Sequence, residues 1–355
     1  MTQRHLHQLL HGTAPGDAIT DQALLVRAWL RELGFASELY AEHVHPALAG
    51  DVRPAAALHL RADEWVMLHH SIGSPLVDAL TAAHARVLMI YHNVTPPEFV
   101  AKTDPALARQ FALGERQLAV LRPFTPCALA DSAFNQTHLI AAGFPHTRVL
   151  PIALSDHALA APPEGGTIAR LRELQPLLLF AGRLVPNKKQ EHLVDLLRQV
   201  RRIYPSAHVA LVGSPWLSAY DQWLRDIVRD AGLAHAVVFS GHVTQAQYLA
   251  HFYAANIYVS MSEHEGFGKP LIECMRLGVP LLAYAAPGVA ETVGDAGILF
   301  RHKRLDAVAE LVDIVLSDDP LRARMIARGR ARAERFTEHA ARAIFVDALA
   351  AIGLL

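Results

Sequence analysis

The residues best equipped for chemistry lie in one stretch, Ser262-Glu-His-Glu-Gly-Phe-Gly-Lys-Pro-Leu-Ile-Glu273, directly after the β-rich run Ile257-Tyr-Val-Ser260. Seven residues separate Glu265 from Glu273, and among them Gly266 and Gly268 permit tight turns and close backbone approach. Pro270 suits the opening turn of a helix, where its missing N–H is not needed. Unpaired N–H groups at such a helix start can hold a diphosphate. Glu273, in the first turns, can accept hydrogen bonds from ribose hydroxyls, while Glu265 reaches toward a sugar from the loop. A carboxylate repels a diphosphate, so Glu265 must face the hexose and cations must occupy the phosphate side. As plain structure, Glu265 is a solvated loop charge and Glu273 a favourable charge near a helix start.

Those cations are available in Phe180-Ala-Gly-Arg-Leu-Val-Pro-Asn-Lys-Lys189, where a strand ends at Gly182-Arg183 and the next helix is expected to start near Lys188. Arg183 can chelate phosphate oxygens through its planar donor array, and Lys188 offers a compact charge. Lys189 competes with Lys188, and Lys269 is a further candidate. The plain alternative for all four is an exposed loop charge.

The other half of the chain holds weaker signals. In Pro15-Gly-Asp-Ala18, Gly16 could let backbone approach a donor or acceptor. Asp17 could bind an acceptor hydroxyl or simply cap a helix. His92 follows the apolar run Val87–Ile90, where its ring could contact a sugar, orient reacting hydroxyls, or be a satisfied structural histidine. His70 has the same two readings. Asp131, Ser132 and Asn135 could line acceptor space or cap a helix.

Positioning these residues requires alternating strands and helices. The pattern predicts strands at His5–Leu10, Ala36–Ala41, Trp65–His70, Arg86–Tyr91, Cys127–Asp131 and Val149–Ile152. A helix through Leu24, Leu25, Ala28, Trp29 and Leu33 is closed by Gly34. Pro162-Pro-Glu-Gly-Gly166 marks a boundary near residues 155–175. A second series follows at Leu177–Ala181, His208–Val212, Val237–Phe239, Ile257–Ser260 and Pro280–Tyr284. Nearly continuous apolar strands separated by helices imply parallel sheets covered on both faces. The expected fold class is therefore α/β, two doubly wound domains facing a cleft. Residues 1–165 form the first, 166–335 the second, and 336–355 a helix packing back on the body. The arginines of the region 319–354 read as a solvated helical surface.

At 355 residues the chain is long enough for two domains. Its net charge of −1, from 33 basic and 34 acidic residues, gives no overall attraction for nucleic acid. Cys127 and Cys274 lie far apart in different expected domains, which suits a reducing compartment. The start lacks the apolar core of a secretion signal, and no apolar run is long enough to span a bilayer. A cytoplasmic placement follows, with peripheral attachment to a membrane left open. Neither His-Glu-x-x-His nor Asp-x-Asp occurs, so no metal is expected.

Taken together, Gly182-Arg183 with the following lysines, Glu265-Gly-Phe-Gly268 with Glu273, and Ala286-Pro-Gly-Val-Ala-Glu291 resemble a retaining glycosyltransferase of GT-B architecture, group 1 or family 4. The resemblance runs from about Leu177 to Gly297, and the Glu-x7-Glu pair is the family's signature. It implies two Rossmann-like domains and a metal-independent transfer of a hexosyl group from a nucleotide-diphosphate sugar, UDP- or GDP-linked, with no other cofactor. The acceptor would be a hydroxyl of a glycan or of a lipid-linked molecule, as in polysaccharide biosynthesis, with peripheral contact at the inner membrane face. By the resemblance, Arg183 and Lys188 hold the diphosphate and stabilise the leaving group, Glu265 contacts the hexose, and Glu273 holds the ribose. Backbone through Phe267 and Gly268 approaches the donor, as do Gly288 and Val289 on another loop and Gly16 on the first loop, while Asp17 binds the acceptor and His92 stands beside the reacting groups. The sequence departs from the family at Lys188-Lys-Gln190, where a lysine-glycine turn is common. A GT-B phosphorylase or epimerase is the nearest enzymatic alternative. A silent nucleotide-sugar-binding or scaffold protein is the alternative from another class, and a dinucleotide oxidoreductase lacks its Gly-x-Gly-x-x-Gly fingerprint.

Overall fold

The computed structural model describes residues 4–355, which pack as two units. The first comprises the chain up to Ala101, Pro105–Ala153 and Glu338–Leu355; the second comprises Leu154–Thr337 with the short Lys102–Asp104 segment. The packing boundary thus falls at Ala153/Leu154, and the last helix, Glu338–Ala351, belongs to the first unit.

In the first unit the strands are β1 (Arg4–His5), β2 (His7–Gly12), β3 (Phe35–Ala36), β4 (Leu39–His43), β5 (Val52–Pro54), β6 (Trp65–His70), β7 (Arg86–Tyr91), β8 (Cys127–Ala130) and β9 (Thr147–Val149). Seven of them form one parallel sheet in the order β5-β4-β2-β6-β7-β8-β9, while β1 pairs with β3. Both alternating faces of β6, β7 and β8 are buried, as a sheet covered on two sides requires. On one side Val26, Trp29 and Leu30 of helix Ala18–Glu32 meet Phe345 and Leu349 of the last helix over Leu6, Met67, Leu88 and Leu129. Trp29 Nε1 donates to Glu338 at 3.0 Å, tying that helix to the first.

The second unit carries β10 (Leu177–Ala181), β11 (His208–Val212), β12 (Val237–Gly241), β13 (Ile257–Ser260), β14 (Leu281–Tyr284) and β15 (Ile298–Phe300). They form a six-stranded parallel sheet ordered β12-β11-β10-β13-β14-β15. Its strand order reverses between β10 and β13, the place where open α/β sheets bind ligands at their carboxyl edge. The corresponding reversal in the first unit lies between β2 and β6.

Several boundaries differ from expectation for local reasons. The strand expected at Ala36–Ala41 is broken at Ser37-Glu38, where the Ser37 carbonyl accepts from Arg31 Nε and the Glu38 N–H donates to His7 Nδ1. The first main strand is His7–Gly12 rather than His5–Leu10, because Arg4–His5 pairs separately with Phe35–Ala36. The strand expected at Val149–Ile152 ends at Val149, two residues before Pro151, which has no N–H for a ladder. The Val52–Pro54 and Ile298–Phe300 strands are only three residues long and carry no long apolar run. The helix expected near Lys188 begins at Gln190, after a single 3-10 turn over Pro186–Lys188.

Candidate functional site

In the second unit Arg183, Lys188, Glu265, Phe267 and Gly268 occupy the loops leaving β10 and β13, the two strands that flank the reversal point. Lys189 takes a left-handed conformation, φ 55° and ψ 46°, between the 3-10 turn and the helix that follows. This is the conformation glycine adopts without cost, which explains a lysine-glycine turn at this point. The turn brings Lys188 Nζ into direct contact with the Glu265 carboxylate, both side chains being mostly buried. Asn187 holds the two loops together: its Nδ2 donates to the His264 carbonyl at 3.0 Å, and its carbonyl accepts from the Glu263 N–H at 2.9 Å. Arg183 is exposed, with its guanidinium 5.2 Å from the centre of the Trp216 ring. Gln190 Nε2 donates to the Arg183 carbonyl at 2.9 Å, which links that arginine's backbone to the lysine turn.

The Glu265 loop is seated on a third element. Helix Pro287–Val293 starts beneath it, and Gly288 lies so close that a Cβ there would be 2.1 Å from the Glu265 carbonyl oxygen. Thr292 Oγ1 donates to the Phe267 carbonyl at 2.6 Å, and the Phe267 ring sits edge-on to Phe336. Phe267 and Val289 are buried, so both can face a ligand only through backbone. Gly268, at φ 86°, caps helix Lys269–Leu277, whose first turn contains Pro270.

Glu273 is 4 % exposed on that helix and accepts from Tyr248 Oη at 2.6 Å, with Lys269 Nζ at 3.6 Å. Burial, reinforced by the Glu273 charge, pushes the Tyr248 phenol well above its ordinary range, so it stays protonated as the donor. A buried carboxylate held at one oxygen by a phenol is a fixed acceptor rather than a drifting surface charge. Lys189 lies 3.5 Å from Glu263, and Lys303 donates to the same carboxylate at 2.6 Å. The Cys274 thiol, buried at the same helix, is pushed up by desolvation.

In the first unit His92 stands at the centre of a buried polar chain. Gln8 Nε2 donates to the Ala23 carbonyl at 3.1 Å, which turns Gln8 Oε1 toward His69 Nε2, 2.8 Å away. A carbonyl can only accept, so His69 Nε2 must carry a proton. Burial, with His92 alongside, holds His69 well below the usual histidine range, so its Nδ1 is an acceptor. His92 Nε2 is 2.9 Å from that Nδ1 and must therefore be its donor. This leaves His92 Nδ1 without a hydrogen-bond partner among the described residues, 3.6 Å from Asp131 Oδ2. Asn135 Nδ2 donates to Asp131 in turn, and Ser132 caps helix Ala133–Ala141. The His92 side chain is 2 % exposed, so a ligand meets little of its ring in this conformation.

His70 Nε2 donates to the Gly114 carbonyl at 2.9 Å, and burial lowers it to about 4, which makes it a neutral structural histidine. Gly16 takes a left-handed φ of 74°; Asp17 caps helix Ala18–Glu32 by accepting from the Thr20 N–H and hydroxyl. Sequence reasoning missed Asn187, Tyr248, Gln8 and His69, whose partners lie 15 to 77 residues away, as the pairs Gln8–Ala23 and Asn187–His264 bracket. Among the described residues no group of three or more His, Cys, Asp or Glu could hold a metal, and no helix is long and apolar enough to cross a membrane.

Residues 168–332 match the model of the family described as glycosyl transferases group 1. Among individual proteins, the chain is 31 % identical over 172 residues to a GDP-mannose-dependent alpha-(1-6)-phosphatidylinositol monomannoside mannosyltransferase of Mycobacterium tuberculosis, covering 46 % of this chain and 43 % of that one. It is 28 % identical to O-antigen chain mannosyltransferase B of Escherichia coli, over 59 % of this chain and 56 % of the relative. The chain thus spans about half the length of the curated relatives it matches. The solved structure of Anabaena Alr3699/HepE in complex with UDP-glucose superposes with a TM-score of 0.78 at 18 % identity, covering 98 % of this chain and 99 % of that one. At that identity the likeness shows the shared GT-B fold.

Proposed function

Because residues 168–332 match the model of the family described as glycosyl transferases group 1, we propose that the chain belongs to that family and moves a hexosyl group from a nucleotide-diphosphate sugar to an acceptor hydroxyl. The observation that carries this reading is the meeting of Lys188 with Glu265, from two loops that flank the reversal point of the second sheet. A cation for phosphate and a carboxylate for sugar hydroxyls stand side by side there. The two charges neutralise each other. A bound nucleotide sugar would replace that contact, taking Lys188 and Arg183 on its diphosphate and Glu265 on its hexose.

Departure of the nucleoside diphosphate places negative charge on the leaving oxygen. Arg183, Lys188 and the N–H groups at the start of helix Lys269–Leu277 would stabilise it. Glu273, oriented by Tyr248, would accept from ribose hydroxyls. The buried side chains of Phe267 and Val289 leave the backbone at 267–268 and 288–289 to face the donor. The second unit is in this reading the main donor unit and the first the acceptor unit, where Asp17 would bind the acceptor, Gly16 would let backbone approach the donor and His92 would act beside the reacting groups. His92 would act through Nδ1, its Nε2 proton being committed to His69. The family's retaining course implies same-face substitution with oxocarbenium character, the departing phosphate helping to deprotonate the acceptor.

The relatives named for GDP-mannose and the structure solved with UDP-glucose support a nucleotide-sugar donor of either type. A relative named for a phosphatidylinositol mannoside and one named for O-antigen support a glycan or lipid-linked acceptor; in this reading the acceptor is met on the cytoplasmic side, with peripheral contact at the inner membrane face. The test is mass-resolved transfer by purified protein with a panel of UDP- and GDP-sugars, mixed glycan and lipid-linked acceptors, and no added metal. A hexose-sized mass gain with nucleoside diphosphate release is expected. Failure to bind any nucleotide sugar would overturn the reading, and binding without transfer or hydrolysis would favour a silent sugar-nucleotide-binding protein.

A further inference from the structure

The first unit holds a second polar cluster that none of the roles above uses. His11 near the end of β2 and Glu42 near the end of β4 stand side by side, since Leu10 pairs with Ala41 and Gly12 with His43. His11 Nδ1 lies 2.7 Å from Glu42 Oε2. Ser74, four residues past the end of β6, donates its hydroxyl to the same oxygen at 2.6 Å. The three residues therefore come from the carboxyl ends of β4, β2 and β6, across the point where the strand order of this sheet reverses. Ligands of open α/β sheets settle at such a point.

Ser74 is held there by more ties than a surface loop needs. Gln117 reads its backbone in both directions, accepting from the Ser74 N–H at 3.0 Å and donating to its carbonyl at 2.8 Å. The Leu76 N–H donates to Ser74 Oγ at 3.1 Å, which leaves the hydroxyl proton for Glu42. Gly73 and Gly114 approach backbone to backbone: a Cβ on Gly73 would lie 2.5 Å from the Gln110 carbonyl oxygen, and one on Gly114 would lie 2.7 Å from the Gly73 nitrogen. The loop is thereby pinned to helix Pro105–Leu121 and presents Ser74 in one position.

Both donors converge on Oε2, so among the described residues Glu42 Oε1 makes no hydrogen bond within the protein, and neither does His11 Nε2. In the tautomer that turns the Nδ1 proton to Glu42, His11 Nε2 is an acceptor. The Glu42 and His11 side chains are 15 % and 23 % exposed, so both acceptors can be reached from solvent. The ring of His43 stands edge-on to His11 at 5.0 Å, and the other partners of Ser74, the Gln117 amide and the Leu76 N–H, are neutral. Two adjacent acceptors, one of them a carboxylate, suit neighbouring hydroxyls and repel a phosphate or carboxylate group.

We propose that His11, Glu42 and Ser74 form a binding site for the hydroxyl groups of a neutral sugar, the end of the acceptor that receives the hexose. This rests on the transferase reading and deepens it by naming the acceptor terminus as an uncharged polyol. The experiment measures binding of methyl α-mannopyranoside, methyl α-glucopyranoside and mannose 6-phosphate to the full chain by saturation-transfer NMR, with nucleoside diphosphate present. A neutral glycoside is expected to bind and the sugar phosphate to bind more weakly. Losing one hydrogen bond to a charged group corresponds to roughly tenfold or more in affinity, and Glu42→Gln should show that loss for the glycoside. Ser74→Ala should show a smaller loss, with circular dichroism reporting the fold of both variants. Tighter binding of the phosphate, unchanged glycoside affinity in either folded variant, or no glycoside binding by protein that binds nucleotide would overturn the inference. Nucleotide affinity, read on the same samples, separates that failure from failure of the donor reading.

Discussion

One methyl group at residue 288 would test how closely the Glu265 loop must be held. A Cβ built on Gly288 falls 2.1 Å from the Glu265 carbonyl oxygen, 3.0 Å from its carbon and 3.1 Å from the Gly266 oxygen. A carbon and a carbonyl oxygen in contact sit about 3.3 Å apart or more, so the loop in Gly288→Ala must retreat by roughly 1 Å. Helix Pro287–Val293 cannot give way instead, because Val289, Thr292 and Val293 are buried on it and Arg332 braces its end by donating to the Glu291 and Thr292 carbonyls. Glu265 moves with its own backbone and draws away from Lys188. Overpacking of this kind costs about 1–3 kcal/mol of stability, which lowers the unfolding midpoint without abolishing the fold. A misplacement of about 1 Å at a reacting group costs roughly a hundredfold in rate. The assay is the initial rate of nucleoside diphosphate release with acceptor present, alongside nucleotide affinity and thermal unfolding. Gly50→Ala is the control, since no atom lies within 4 Å of a Cβ at that position. A near-wild-type rate in folded Gly288→Ala would show that the seat of the Glu265 loop is irrelevant to turnover and would refute the reasoning.

Two further outcomes concern stability. Lys189→Gly should stabilise the protein: a left-handed conformation costs an L-residue about 1 kcal/mol, whereas the contacts of Lys189 with Glu191 at 3.8 Å and Glu263 at 3.5 Å are long and partly exposed. A lower denaturant midpoint in the glycine variant would show that those ion pairs outweigh the backbone strain. For pH, His70 is buried and its folded-state value is lowered from 6.5 to about 4, so the unfolded chain binds its proton first. Its contribution to stability is fully present above pH 6.5 and is lost as pH falls toward 4, amounting to about 3 kcal/mol for a shift of that size. Denaturant unfolding at pH 7, 5 and 4 should therefore show a shallower loss in His70→Gln than in the wild type; equal slopes would count against a neutral buried His70.

The central strands were legible because both of their faces are buried, which writes each one as an unbroken apolar run. Trp65–His70, Arg86–Tyr91, Leu177–Ala181, His208–Val212 and Ile257–Ser260 lie where the pattern places them. The misjudged edges are those where the determinant is not apolar. Ser37-Glu38 breaks a strand through two side-chain bonds to its backbone, and Val52–Pro54 pairs with β4 while exposing two of its three residues. The last helix is a different case, since its amphipathic pattern shows that it packs but not against what. Its docking beside Trp29 depends on Glu338 and Phe345 meeting a helix more than three hundred residues earlier in the chain.

The charged members of the candidate site were legible for a related reason: a carboxylate or guanidinium beside glycines at a strand end has few structural duties there. What the sequence withholds is the neutral machinery that aims them. Asn187 reads as turn filler in Val-Pro-Asn-Lys, and only the fold shows its amide spanning to the His264 carbonyl. Tyr248 reads as one apolar residue of helix Gln245–Ala254, and only the fold sets its phenol on Glu273. Gln8 and His69 lie diagonally on neighbouring strands, Gln8 opposite Met67 and His69 opposite Leu10, a relation that exists only once β2 pairs with β6. Each of these groups is buried, so an unmet polar atom there would cost roughly 1–3 kcal/mol, and the fold is committed to satisfying it in one geometry. That commitment is what converts a pair of glutamates and a pair of basic residues, abundant on any surface, into acceptors and donors with fixed directions. Asn187 is accordingly the sharpest point of leverage in the second unit. Its side chain and carbonyl together hold the lysine turn to the glutamate loop, yet it contributes no charge to either.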